Sequence, residues 1–180
     1  MSLIRVIFFI IIFVIIQAPF HVRAEEPEFS EYEVKAGFLY NFAKFIEWPR
    51  EIFPDTKKPI TLCVVGADPF GKALSAIDNK TVQNRRLEIK YTGRSKDLKT
   101  CNMLFVSTSE RENLPQILEI LKGTATLTIG DTKGFAKQGV MINFIMEENK
   151  VRFEINTESA GREKLIISSK LLKLARIIHQ

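Results

Sequence analysis

The stretch Ile60–Leu74, "ITLCVVGADPFGKAL", decides how the chain is read, because it opens as a buried strand and closes as the start of a helix. Its middle, Gly66–Ala73, also spells Gly, four residues, Gly and Lys, one residue short of a phosphate-cradling loop. Such a loop needs consecutive backbone N–H groups aimed at phosphate oxygens, a lysine for the outer phosphates and a hydroxyl after that lysine to hold Mg²⁺. Here the hydroxyl position is Ala73, and Pro69 removes one donor. The stretch therefore reads as a strand ending at Gly66, a turn through Asp68-Pro69 and a short helix from Phe70 to Ile77. Asp68 would be the N-cap and Pro69 the first helical residue.

Outward from this unit the same alternation continues. Strands are expected at Leu87–Thr92, Met103–Ser107 and Thr126–Ile129, with a helix at Leu114–Lys122. "GVMINFIMEENKVRFEIN" then gives two apolar runs joined at Glu147-Glu148-Asn149-Lys150, an antiparallel hairpin. Towards the N-terminus, "SEYEVKAGFLYNFAKFIEWP" places Ser30 and Glu33 as a capping box, then Val34, Phe38, Phe42, Phe45 and Ile46 at helical spacing, with Pro49 as a stop. The aromatic stripe reads as core; Asn41 and Trp48 are the candidate exposed contacts for a partner protein. Near the C-terminus, "SSKLLKLARII" offers Ser168 or Ser169 as a cap and Leu171, Leu172, Leu174, Ala175 and Ile178 as a helical apolar face. The sum is an α/β chain forming a single compact domain, a mixed, mostly parallel sheet of about six strands flanked by helices.

Residues 1–24 read as a cleaved signal peptide: Arg5 in the n-region, "VIFFIIIFVII" as the h-region and Val22-Arg23-Ala24 as the cleavage site. The apolar run is short for a bilayer span, and no cysteine follows it to carry a lipid. The mature domain would be 25–180 and the expected location the periplasm. Two of the chain's net +5 charges, Arg5 and Arg23, leave with a segment that has no acid, so +5 becomes +3. With no Lys/Arg block and no basic stripe, nucleic-acid binding lacks its electrostatic footprint.

The chemistry-bearing residues are few. Of two histidines, His21 leaves with the signal peptide and His179 is penultimate, so Ser-His-Asp and Cys-His mechanisms have no well-held base. Structural zinc needs four Cys or His ligands, more than the mature chain has. Asp131 in "GDTKGF" reads as a turn residue, and Glu147 and Glu148 as hairpin-tip charges. Cys63 and Cys101 lie in apolar, strand-like runs. In an exported protein two cysteines suggest one disulfide, the alternative being two buried thiols. A binding module, without catalytic residues or cofactor, is the expectation.

Six stretches in order, "YEVKAGFLYNFAKFIEWP", "VVGADPFGKAL", "CNMLFVS", "LTIGDTKGFAKQGVMINF", "VRFEIN" and "ISSKLLKLA", resemble the YfiR-like family of bacterial periplasmic proteins over nearly the whole mature chain. The resemblance implies a compact α/β domain, often a homodimer, in which "DPFG" is a turn without a phosphate role. It implies a protein that binds and represses the periplasmic sensor region of an inner-membrane diguanylate cyclase, and so controls cyclic-di-GMP signalling and biofilm formation. It also implies an outer-membrane lipoprotein that relieves the inhibition. Cys63 and Cys101 match a disulfide pair of the family; a second pair nearer the C-terminus is missing here. Related domains accompany histidine kinases, which keeps a small-molecule-binding periplasmic sensor or accessory protein as the alternative.

Overall fold

The computed structural model of the chain describes residues 30–55, 57–93 and 97–179. The signal peptide expected at 1–24 and the mature start at Glu25 lie outside the described residues. Helix α1 (Glu31–Phe45) opens with the expected capping box: Ser30 Oγ accepts from Glu33 N–H, and the Glu33 carboxylate accepts from Ser30 N–H. These two backbone and side-chain donors hold the Glu33 carboxyl below its usual range. The helix ends before Pro49 is reached. Ile46–Glu47 leave it as strand β1, which pairs antiparallel with β9 (Ile166–Ile167) in a separate two-stranded ladder.

The main sheet holds eight strands, in the order β10, β8, β7, β6, β5, β2, β4, β3. They are β2 (Ile60–Val65), β3 (Thr81–Val82), β4 (Arg85–Thr92), β5 (Met103–Val106), β6 (Leu127–Gly130), β7 (Ile142–Glu147), β8 (Lys150–Asn156) and β10 (Arg176–Ile178). Only the β3/β4 and β7/β8 pairs are antiparallel. The count exceeds the expected six because β3 and β10 are too short to carry an alternation of their own.

Both faces of the central strands are covered, which explains their unbroken apolar runs. Leu62 and Val64 of β2 join Leu39, Phe42 and Ala43 of α1, with Phe105, Phe144 and Phe153, on one face. Cys63 and Val65 face the other way, into a smaller core with Leu104, Val106, Phe135 and the apolar side of α2 (Leu114–Leu121). The Cys63–Cys101 disulfide lies in this second core, its Cα atoms 5.9 Å apart, and ties β2 to the residues that lead into β5.

The structure corrects two expected helices. Gly71–Ala76 is a 3-10 helix rather than an α-helix, with Phe70 at its N-cap position. At the C-terminus, α4 (Ser169–Leu172) stops after one turn, and Arg176–Ile178 become β10, parallel to β8. Leu174, expected on a buried helical face, is exposed. The reason is tertiary. Without β10, the Glu154–Asn156 segment would form the sheet's open edge, and the β-branched pair Ile177-Ile178 suits a strand better than a helix.

Candidate functional site

α1 delivers the chain to β1, and the residues after it, Trp48-Pro49 and the 3-10 turn Arg50–Ile52, form one wall of an open groove. The opposite wall comes from far along the sequence: Gly123 and Ala125 after α2, then Arg162 at the end of α3 (Thr157–Arg162) with Glu163, Lys164 and Ile166 after it. The groove has a volume of about 790 Å³. Its walls are held locally. Both oxygens of the Glu163 carboxylate accept backbone hydrogen bonds at 3.0 Å, from Gly123 N–H and Ala125 N–H, which fixes the loop ahead of β6. The ring of Trp48 stands edge-on to Phe53, with centroids 5.8 Å apart.

Exposed apolar surface and mixed charge mark the groove. Ile166 is 62% exposed at its rim, an apolar side chain left uncovered beside Trp48, Pro49 and Ile52. Trp48 Nε1–H is buried and has no acceptor among the described residues, which costs free energy within the fold. The charges around it alternate in sign: Glu47, Glu51 and Glu163 against Arg50, Arg162 and Lys164. Of the two partner-contact candidates, Trp48 is in the groove, whereas Asn41 is half-buried on α1 and is not among the lining residues. Sequence reasoning missed Glu163 and Ile166 entirely.

A second cluster sits where α1 meets the end of β6. Asp131 is not an ordinary turn residue: its side chain is 6% exposed, and one carboxylate oxygen accepts from Lys35 Nζ at 2.8 Å and from Tyr32 OH at 3.0 Å. Lys35 Nζ also pairs with Glu31 and lies 4.3 Å from the centre of the Tyr32 ring. Burial alone would depress the Lys35 ammonium, but the hydrogen bonds and charges of Asp131 and Glu31 outweigh it and hold it above its ordinary value. Burial, then the charge of Asp131, also pushes the Tyr32 phenol up. The arrangement locks the first turn of α1 onto the sheet.

The Gly66–Ala73 loop is closed on itself. Asp68 Oδ1 accepts from Phe70 N–H at 2.9 Å and Oδ2 from Gly71 N–H at 3.2 Å, while Ala67 N–H donates to Ser109 Oγ at 2.9 Å. Donors that a phosphate would require are thus turned onto a carboxylate and a serine of the chain itself. Gly66 has φ +90°, and a Cβ placed there would lie 2.4 Å from Ser109 Oγ, so this glycine serves close packing at the ends of β2 and β5. Among the described residues no three or more His, Cys, Asp or Glu side chains are grouped to hold a metal ion, and no helix is long and apolar enough to cross a membrane.

Comparison with solved structures finds a conserved domain protein from Vibrio cholerae O1 biovar El Tor, at TM-score 0.51 and 11% identity. The match covers 82% of this chain and 60% of that one. The ABC domain in complex with L-Trp from Streptococcus pneumonia aligns at TM-score 0.49 and 9% identity, over 66% of this chain and 55% of that one. The chain thus spans less than two thirds of either protein, and the Vibrio cholerae likeness shows the fold alone. No curated protein matches the sequence. The YfiR/HmsC-like family matches residues 32–176, from the second residue of α1 to the first of β10. With that span covered from the capped helix to the closing strand of the sheet, the chain belongs to the YfiR/HmsC-like family.

Proposed function

We propose that the protein is an exported regulator that docks through the Trp48 groove on the periplasmic sensor region of an inner-membrane signalling enzyme, in the first instance a diguanylate cyclase, and holds it inactive. The observation that carries this reading is family membership across residues 32–176. The groove supports it, with an uncovered Ile166 and charges of both signs at the rim. The protein acts by binding, without chemistry or cofactor of its own. An outer-membrane lipoprotein competing for it would relieve the inhibition, and a second copy of the chain would complete the working dimer.

Deleting the gene should raise cellular cyclic-di-GMP; wild-type protein should restore the low level, and Trp48→Ala should fail to do so although it is exported and folded. A tagged wild-type chain should co-purify with a membrane protein carrying a cyclase domain. Unchanged cyclic-di-GMP on deletion would sink the cyclase reading. The groove volume, about 790 Å³, lies within the range of small-molecule sites and favours one second reading, a periplasmic ligand sensor acting with a histidine kinase. In that case a kinase, not a cyclase, co-purifies, and Trp48 fluorescence responds to a periplasmic extract freed of protein.

A further inference from the structure

The β3–β4 hairpin lies outside the groove, yet it grips the segment that builds one groove wall at several points. Its two turn residues, Gln83 (φ 51°) and Asn84 (φ 62°), both adopt the left-handed conformation of the tightest hairpin turns, between the paired residues Val82 and Arg85. In that position Gln83 directs its side-chain amide under the end of α1. Nε2 reaches the carbonyls of Ala43 at 3.1 Å, Lys44 at 3.3 Å and Ile46 at 2.9 Å. Helix ends leave their last carbonyls without intrahelical donors, and here the donor comes from a side chain in a distant hairpin. Arg85 holds the other end of the same segment. Its guanidinium stacks 4.4 Å from the centre of the Phe53 ring and donates to the carbonyls of Asp55 and Lys58. Tyr40 OH donates to Thr81 O at 3.0 Å and fixes the hairpin to α1 from the side.

Trp48 lies between these two holds. It follows Ile46, whose carbonyl Gln83 binds, by two residues, and its ring meets that of Phe53, which Arg85 covers, at a near-right angle. Lys58 adds a further tie, donating to Ile52 O at 2.9 Å. We propose that Gln83 and Arg85 are positioning residues for the Trp48 groove: the β3–β4 hairpin sets the direction in which the chain leaves α1, and with it the placement of the indole ring. This rests on the reading of the groove as the partner site. A perturbation at the hairpin tip, by a bound molecule or a substitution, would then change the groove without touching it.

Trp48 is the only tryptophan of the chain, so its indole N–H gives a single ¹H–¹⁵N resonance and its fluorescence a single emitter. In the mature, oxidised protein, Gln83→Ala and Arg85→Lys should each displace that resonance and increase quenching by acrylamide. Asp68→Ala, which removes a turn acceptor remote from the groove, should lower stability and leave both readouts where they are in the wild type. Arg85→Lys keeps the charge and loses only the planar fork and its stacking, so it serves as the second arm if Gln83→Ala does not fold. An indole resonance and quenching constant unchanged in the folded variants, with only the thermal midpoint lowered, would overturn the proposal. Failure of the groove reading is seen separately, as partner capture that survives Trp48→Ala.

Discussion

At the scale of single residues, buried polar groups carry most of the specificity. Asp131→Asn removes the charge that holds Lys35 and should lower stability by about 3 kcal/mol, as expected when a buried ion pair loses one partner. The pH dependence has a definite sign. The folded-state values of Lys35 and Tyr32 are both raised, so their contribution is fully present below the ordinary values of these groups and is lost as pH rises through the folded values. Urea midpoints should therefore fall above about pH 10, and Asp131→Asn should flatten that fall. A wild-type midpoint constant to pH 11 would contradict the pairing. Asp68→Ala should cost about 1 kcal/mol, because two backbone donors lose their acceptor, whereas Lys72→Ala should change stability little. Calorimetric titration with Mg²⁺-ATP should give no heat of binding. The sequence made Asp68 legible, since its acceptor role is local. It hid Asp131, whose partners Tyr32 and Lys35 lie almost a hundred residues earlier, and a lysine in a helix ordinarily reads as solvated.

At the scale of elements, legibility followed length and locality. α1 announced itself through its capping box and its aromatic spacing, and the β7–β8 hairpin through two apolar runs around a polar tip. The two-residue loop of that hairpin, Glu148-Asn149, has φ values of 49° and 59°, the conformation that glycine and asparagine tolerate best. Asn149→Val should therefore cost about 1–2 kcal/mol, and Asn149→Gly should cost nothing, as chemical denaturation of the two variants would show. The two-residue strands β1 and β9 left no period to read, and neither did the C-terminal turn into β10, where a helical pattern through Leu174 yields to the need to close an edge. For that reason Trp48, at the end of a legible helix, could be singled out from the sequence, whereas Glu163 and Ile166 on the far wall of the groove could not.

At the scale of the whole molecule, the disulfide links the central strand to the approach of its neighbour across 38 residues. On the chain-entropy account, closing such a loop contributes at most about 4 kcal/mol, so reduction should lower the denaturation midpoint by a corresponding amount without dissolving the sheet. Equal midpoints with and without reductant would argue that the bond is thermodynamically idle. The β1–β9 ladder has a different kind of consequence, in the order of events. Ile46, at the end of the first helix, pairs with Ile167, close to the end of the fold, so nothing can secure α1 from that side until nearly all of the chain has been made. Contacts between such distant residues close slowly, because loop-closure entropy is lost before any pairing is gained. A ribosome-bound chain would hold an unanchored helix and an unfinished sheet, a state that a protease can cut. Maturation should thus be a late, nearly all-or-none event, with the groove coming into existence only at that final step.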